Sequence, residues 1–251
     1  MRYLGIEPAR PRIAVFDFTC CEGCELQLAN REQTLAPFLR AVKIVAFREI
    51  SSAAGEDYQV ALIEGAVSRS DEEVRLRAIR ERAETLVALG SCACFGGVNR
   101  LKNDFNLEQA NRLVYGNTER PTRLVRPISE VVAVDLELPG CPVAKPEVER
   151  VVQALALGLP IQLPDYPVCV ECKQRYTVCV WDLGQLCLGP ITRAGCEAPC
   201  PAGGLGCWGC RGQAADANIE SFFATAAEWG FDEAEVNERM QLFGGFAEVL
   251  R

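Results

Sequence analysis

Apolar and polar positions alternate along the first two thirds of the chain in a way that predicts strands and helices in turn. Arg12–Phe18 (RIAVFDF) is a short apolar run with β-branched and aromatic residues, the pattern of a strand. Glu25–Val42 places Leu28, Leu35, Phe38, Leu39 and Val42 near helical spacing, with Pro37 inside as a kink or break. Lys43–Phe47 and Tyr58–Glu64 read as further strands. Ser70-Asp71-Glu72-Glu73 reads as a capping box opening a helix that runs to about Glu84. Its Asp71/Arg75, Glu73/Arg77 and Arg77/Glu81 pairs read as a solvated face. Leu86–Leu89 predicts a strand ending at Gly90, Val131–Leu136 another, and Pro146–Leu157 a helix. Strands alternating with helices imply a mostly parallel sheet, whose ligands bind where the strands end.

The pattern changes at about residue 164. From Pro164 to Gly212 there is little periodicity, and glycine and proline are frequent. This stretch is expected to bury little apolar surface of its own and to need cross-links. Two helices are expected after it, Asp216–Trp229 and Asp232–Phe243, with Gly230 as the break. Asp232-Glu233-Ala234-Glu235 is a box-like start for the second. Two domains are therefore expected, 1–163 and 164–251.

Fourteen cysteines and no histidine decide which chemistry is open. Without histidine there is no Ser-His-Asp or Cys-His catalytic arrangement and no imidazole-bound zinc. No apolar run reaches the length of a spanning helix, and no secretory signal is visible at the start, so a cytoplasmic location is expected. Reduced thiols there point to metal, either iron–sulfur clusters or zinc. The net charge of −8 does not suit nucleic acid or an anionic membrane. No phosphate-binding glycine loop follows the first strand.

The cysteines fall into groups. Cys21-x2-Cys24, Gly90-Ser91-Cys92-Ala93-Cys94-Phe95-Gly96-Gly97 and Pro139-Gly140-Cys141-Pro142 each follow a predicted strand, so they can meet on one rim of the sheet. Gly96 and Gly97 could also offer N–H groups to sulfur. Cys20 and Cys94 read equally well as buried free thiols. The other eight lie within residues 169–210, as Cys169-x2-Cys172-x6-Cys179-x7-Cys187 and Cys196-x3-Cys200-x6-Cys207-x2-Cys210. Each run supplies four thiolates. Structural zinc is the alternative, but zinc sites of this kind space their two Cys-x2-Cys units more closely. Glu64, at the end of a strand, is either a buried carboxylate near the first group or a loop residue. Lys173, Arg175, Arg193 and Arg211 either offset cluster charge or are solvated. Trp181 and Trp208 read as packing.

These motifs resemble nickel–iron hydrogenase small subunits. The likeness rests on Cys21-x2-Cys24, Cys92-Ala93-x-Phe95-Gly96-Gly97 and Gly140-Cys141-Pro142. It continues in Ile63-Glu64-Gly65-Ala66-Val67-Ser68, in Cys187-Leu188-Gly189-Pro190-Ile191-Thr192-Arg193-Ala194-Gly195-Cys196 and in Cys207-x2-Cys210-Arg211-Gly212. Within the family it looks most like the delta subunits of cytosolic sulfhydrogenases, over roughly Arg12–Phe243. The resemblance implies an α/β fold, with a flavodoxin-like parallel-sheet domain followed by a loop-rich iron–sulfur domain with short helices. It implies three 4Fe–4S clusters. Cys21, Cys24, Cys92 and Cys141 would hold the proximal one, and Cys169, Cys172, Cys179 and Cys187 the distal one. Cys196, Cys200, Cys207 and Cys210 would hold the medial one. Membrane-linked relatives carry histidine where Cys169 stands and often proline at Cys200. The nickel–iron centre would belong to a large-subunit partner, and iron–sulfur and flavin diaphorase subunits would pass electrons to NAD(P). The cluster subunit of quinone-reducing complex I, which has adjacent cysteines like Cys20-Cys21 but a single cluster, is the other redox reading. A zinc-stabilised scaffold is the non-redox one.

Overall fold

A computed structural model describes residues 10–30, 39–118 and 120–249. The chain divides into two compact units, Met1–Gln162 and Leu163–Arg251.

The first unit is built on five parallel strands: β1 (Arg12–Asp17), β2 (Lys43–Ala46), β3 (Val60–Glu64), β4 (Thr85–Leu89) and β5 (Leu136–Leu138). Their spatial order is β2-β1-β3-β4-β5, the flavodoxin-like order, which reverses direction between β1 and β3. All of β3 and most of β4 are buried, as continuous apolar runs in a sheet covered on both faces should be. Asp17 pairs with Glu64, Glu64 with Leu89 and Leu89 with Leu138. The last residues of four strands thus form one row, and the loops that carry the first cysteine group leave from it. The helices are α1 (Gly23–Ala29), α2 (Ser70–Arg82), α3 (Gly90–Phe95), α4 (Leu107–Tyr115) and α5 (Lys145–Leu157). The core joins Ile63, Leu86 and Ala88 of the sheet to Leu76 and Ile79 of α2.

Four sequence expectations need correction here. The helix expected over Glu25–Val42 ends at Asn30, which caps α1. Leu35, Pro37 and Phe38 lie outside the described residues. The strand expected over Val131–Leu136 is displaced: Ile128–Glu130 make a short 3-10 turn that drops Ile128 and Val131 into the core. The Asp135 carboxylate then takes the Leu86 N–H at 2.7 Å, and β5 starts only after it. The capping box at Ser70 does not form. Glu72, not Glu73, reaches back, accepting the Ser68 N–H at 2.8 Å and the Thr19 hydroxyl at 3.0 Å. Glu73 is drawn instead to Arg77 and Arg126. On the same helix Asp71 pairs with Arg69, and Arg75 reaches back to Asp17 and stacks on Phe18.

The second unit carries α6 (Val168–Gln174), α7 (Pro199–Ala202), α8 (Ile219–Glu228) and α9 (Glu233–Gln241). The expectation that residues 164–212 bury little is also corrected. Val168, Leu186, Leu188 and Ile191 form a core with Phe222, Val236, Met240 and Phe246 from the tail. Trp181 is at its centre, edge-on to Phe222, Trp229 and Phe231, and its indole N–H donates to the Cys187 carbonyl at 3.1 Å. The apolar partners that the loop lacks locally come from the tail that follows it.

Candidate iron–sulfur sites

The first group assembles at the carboxyl edge of the sheet. Cys21 and Cys24 follow β1, Cys92 lies on α3 after β4, and Cys141 follows β5. The Ser91 N–H donates to the Gly140 carbonyl at 2.9 Å, which joins the Cys92 and Cys141 loops. Burial pushes the Cys92 thiol up to about 12, and the charges of Cys141 and Cys21 act on it in the same direction. Burial and Glu64 raise Cys24 further, again with Cys92 and Cys141 beside it. Four thiols therefore share one space. Gly90, at φ +87°, makes room for it: a Cβ there would stand 2.4 Å from the Cys24 sulfur. A Cβ on Gly97 would stand 2.6 Å from the Cys92 sulfur. Cys21 and Cys141 are exposed and Cys24 is buried, so the group opens outward. The N–H expected from Gly96 does not serve sulfur; it closes α3 on the Cys92 carbonyl at 2.9 Å.

Glu64 is buried beneath this group. Its two carboxylate oxygens accept the N–H groups of Cys24 at 3.1 Å and Glu25 at 2.7 Å. It thereby caps α1 from a different strand, since Glu22 at the N-cap offers no side-chain bond. Burial raises its pKa against those bonds. Glu25 is buried beside it. Burial first, then the Glu64 charge, pushes Glu25 up to about 8.

The eight cysteines of residues 169–210 all lie in the second unit. Cys169 and Cys172 are on α6, one turn apart. Cys187 and Cys179 join them, and all four line one cavity of about 550 Å³. Burial pushes Cys169 up to about 12 and Cys172 up to about 11, with the neighbouring thiols adding to each. The Cys187 sulfur accepts the N–H groups of Cys207 at 3.1 Å and Gly189 at 3.4 Å. Of the last run, Cys196 and Cys207 each lie under the charge of Cys210, and burial raises both. Cys200 stands exposed on α7 in the same loop. Among the described residues no three His, Cys, Asp or Glu side chains close on a single-ion site. A zinc ion draws its sulfurs to about 2.3 Å from one point, whereas a cubane cluster fills a space between them. Four thiols around a cavity fit the cluster.

Two polar neighbours of the thiols escaped sequence reasoning. The Asn99 amide donates to the Cys92 sulfur at 3.5 Å and to the Thr19 carbonyl at 3.1 Å. The buried Glu171 accepts the Gly195 N–H at 2.8 Å and lies 3.8 Å from the Cys196 sulfur. Of the basic residues noted in sequence, Arg211 is fully buried, while Lys173 and Arg175 are exposed.

The fold and the grouped thiols define an iron–sulfur oxidoreductase subunit. A family model described as the 20 kDa subunit of NADH ubiquinone oxidoreductase matches residues 21–155. The sulfhydrogenase 2 delta subunit of Pyrococcus furiosus is 39% identical over 236 residues, covering 92% of this chain and 98% of that protein. Among solved structures, an NAD+-reducing [NiFe]-hydrogenase in the H2-reduced state has a chain 28% identical at TM-score 0.56, covering 62% of this chain and 96% of its own. An actinobacterial-type NiFe-hydrogenase from Ralstonia eutropha H16 shares the fold over 97% of this chain and 89% of its own, at TM-score 0.57 and 14% identity. The chain thus belongs to the family of the 20 kDa NADH ubiquinone oxidoreductase subunit, among its nickel–iron hydrogenase small subunits. It is the electron-transferring subunit of a hydrogenase. Among the described residues no helix is long and apolar enough to cross a membrane.

Proposed function

We propose that this chain carries three 4Fe–4S clusters and relays electrons between the nickel–iron site of a large subunit and an NAD(P)-linked diaphorase module. The observation that carries the reading is the four-thiol cavity of Cys169, Cys172, Cys179 and Cys187. It lies in the unit that the NADH ubiquinone oxidoreductase match, ending at residue 155, does not reach. A one-cluster quinone-reducing subunit has no use for it.

Cys21, Cys24, Cys92 and Cys141 would hold the proximal cluster, and their exposed side suits a large subunit seated over it. Cys196, Cys200, Cys207 and Cys210 would hold the medial cluster, and the cavity thiols the distal one. Bound there, the clusters supply one-electron steps at potentials the protein sets. The chain's own part is to hold twelve thiolates, exclude water from the buried ones and direct amide N–H groups at sulfur, as Gly189 and Cys207 do to Cys187. The diaphorase link is supported by likeness to a chain of an NAD+-reducing hydrogenase. That acceptor would place the complex in the cytoplasm.

Metal analysis of the anaerobically purified complex tests this. Twelve ligand thiols predict about 12 iron atoms in this chain, with matching sulfide. About four would favour the one-cluster reading. Colourless, zinc-loaded protein would favour the scaffold.

A further inference from the structure

The Asn99 side chain spans two of the loops that carry the first cysteine group. Its amide nitrogen stands 3.5 Å from the Cys92 sulfur and 3.1 Å from the Thr19 carbonyl oxygen. A carbonyl oxygen and a metal-bound thiolate can only accept, so the NH2 end of the amide faces them, with one proton for each. Thr19, two residues before Cys21, is itself held in place. It exchanges backbone hydrogen bonds with Ala66 at 3.0 and 2.9 Å. Its hydroxyl lies 2.7 Å from that of Ser68 and donates to Glu72 at 3.0 Å. From the other side, the 3-10 turn Gly97–Asp104 carries Asn99, and it begins at the glycine that passes close over the Cys92 sulfur. The donor is thus fixed by its own turn and by the Thr19 carbonyl.

A cluster gains negative charge on reduction, and hydrogen bonds to its sulfurs are among the features that set its potential. An N–H aimed at a ligand sulfur stabilises the more negative, reduced form more than the oxidised one. Because this donor is already oriented, no rearrangement opposes that gain when the electron arrives. We infer that Asn99 is a potential-setting residue of the proximal cluster, its amide holding that cluster at a higher potential than the four thiolates alone would give. The inference rests on the reading of Cys21, Cys24, Cys92 and Cys141 as the ligands of that cluster. The donors to the Cys187 sulfur are backbone groups, whereas this one is a side chain and can be removed without altering the chain beneath it.

The test uses Asn99→Leu, which keeps the size of the side chain without its donor, and Asn99→Ala, which removes both, in the intact hydrogenase complex. Each cluster's midpoint is followed by EPR-monitored redox titration. Both variants should lower the proximal midpoint and leave the others in place. Pulsed EPR of the reduced proximal cluster after exchange into D2O gives a second readout: wild type should show an exchangeable-proton coupling that weakens in both variants. An assembled variant with an unchanged or raised proximal midpoint overturns the inference, and so does an undiminished coupling. Loss of the proximal cluster from both variants also overturns it, since Asn99 would then be only the tie between the Cys92 turn and Thr19. Absence of a proximal signal in the wild-type complex would overturn the ligand reading instead, and the inference with it.

Discussion

Cys94 lies buried on α3 with its sulfur 3.7 Å from the Ala88 carbonyl, facing the core rather than the other thiols. Cys20 is different. It stands beside Cys92 and Glu64, and burial pushes its thiol up to about 12. It is thus a fifth thiol at the proximal group, next in sequence to Cys21. Replacing either Cys20 or Cys94 by Ser is expected to keep the proximal EPR signal, whereas Cys21→Ser should lose it. The reverse result for Cys20 and Cys21 would move the ligand assignment by one residue. Spacing alone grouped the thiols that the structure brings together at Cys169–Cys187, because short intervals bound the distance between side chains. It could not reveal Glu171 against Cys196, since that contact exists only once separate loops have packed, nor Asn99 against Cys92, since nothing in the local sequence marks that amide as turned to the sulfur. Glu171 looks like any helix carboxylate in sequence; only its burial beside the Cys196 loop distinguishes it.

Helix starts show how far local sequence decides an element. At α9 the Asp232 carboxylate accepts the Glu235 N–H at 2.7 Å, so the local signal and the structure agree. At α2 the corresponding signal fails, because Thr19 and Ser68 engage Glu72 from a neighbouring loop. Asp232→Ala should therefore destabilise α9 by about 0.5–2 kcal/mol. Ser70→Ala, which removes no cap bond, should leave α2 unchanged. Amide hydrogen exchange on the intact complex reads both: peptides over 233–241 should exchange faster in the first variant, and those over 70–82 at the wild-type rate in the second. Wild-type exchange over 233–241 in the Asp232 variant would mean that α9 does not depend on its side-chain cap. The strands were legible for a related reason. β1, β3 and β4 are apolar runs of β-branched and aliphatic residues with no competing pattern. β5 was misplaced because Val131–Val134 is equally apolar, and the choice between turn and strand falls to the Asp135–Leu86 bond.

For the molecule as a relay, the relation between the last cluster and its acceptor matters most, and the absence of histidine bears on it directly. Four thiolates put more negative charge on a cluster than three thiolates and a neutral imidazole do. Exchanging thiolate for imidazole raises the potential in Rieske centres. A distal cluster held, as proposed, only by Cys169, Cys172, Cys179 and Cys187 would therefore hold its electrons less tightly than a histidine-bearing one. That suits delivery to a low-potential pyridine nucleotide better than delivery to a quinone. Cys169 is the position to probe, since it sits in the first turn of α6 and lines the cavity. Cys169→His should keep the cluster and raise the distal midpoint. Hydrogen-driven NAD(P) reduction should then slow more than reduction of a high-potential dye, because only the first acceptor lies uphill of the altered cluster. The two rates measured on one preparation, with the distal midpoint from redox titration, decide the matter. An unchanged midpoint, or equal loss with both acceptors, would leave the ligand at 169 with no part in choosing the acceptor.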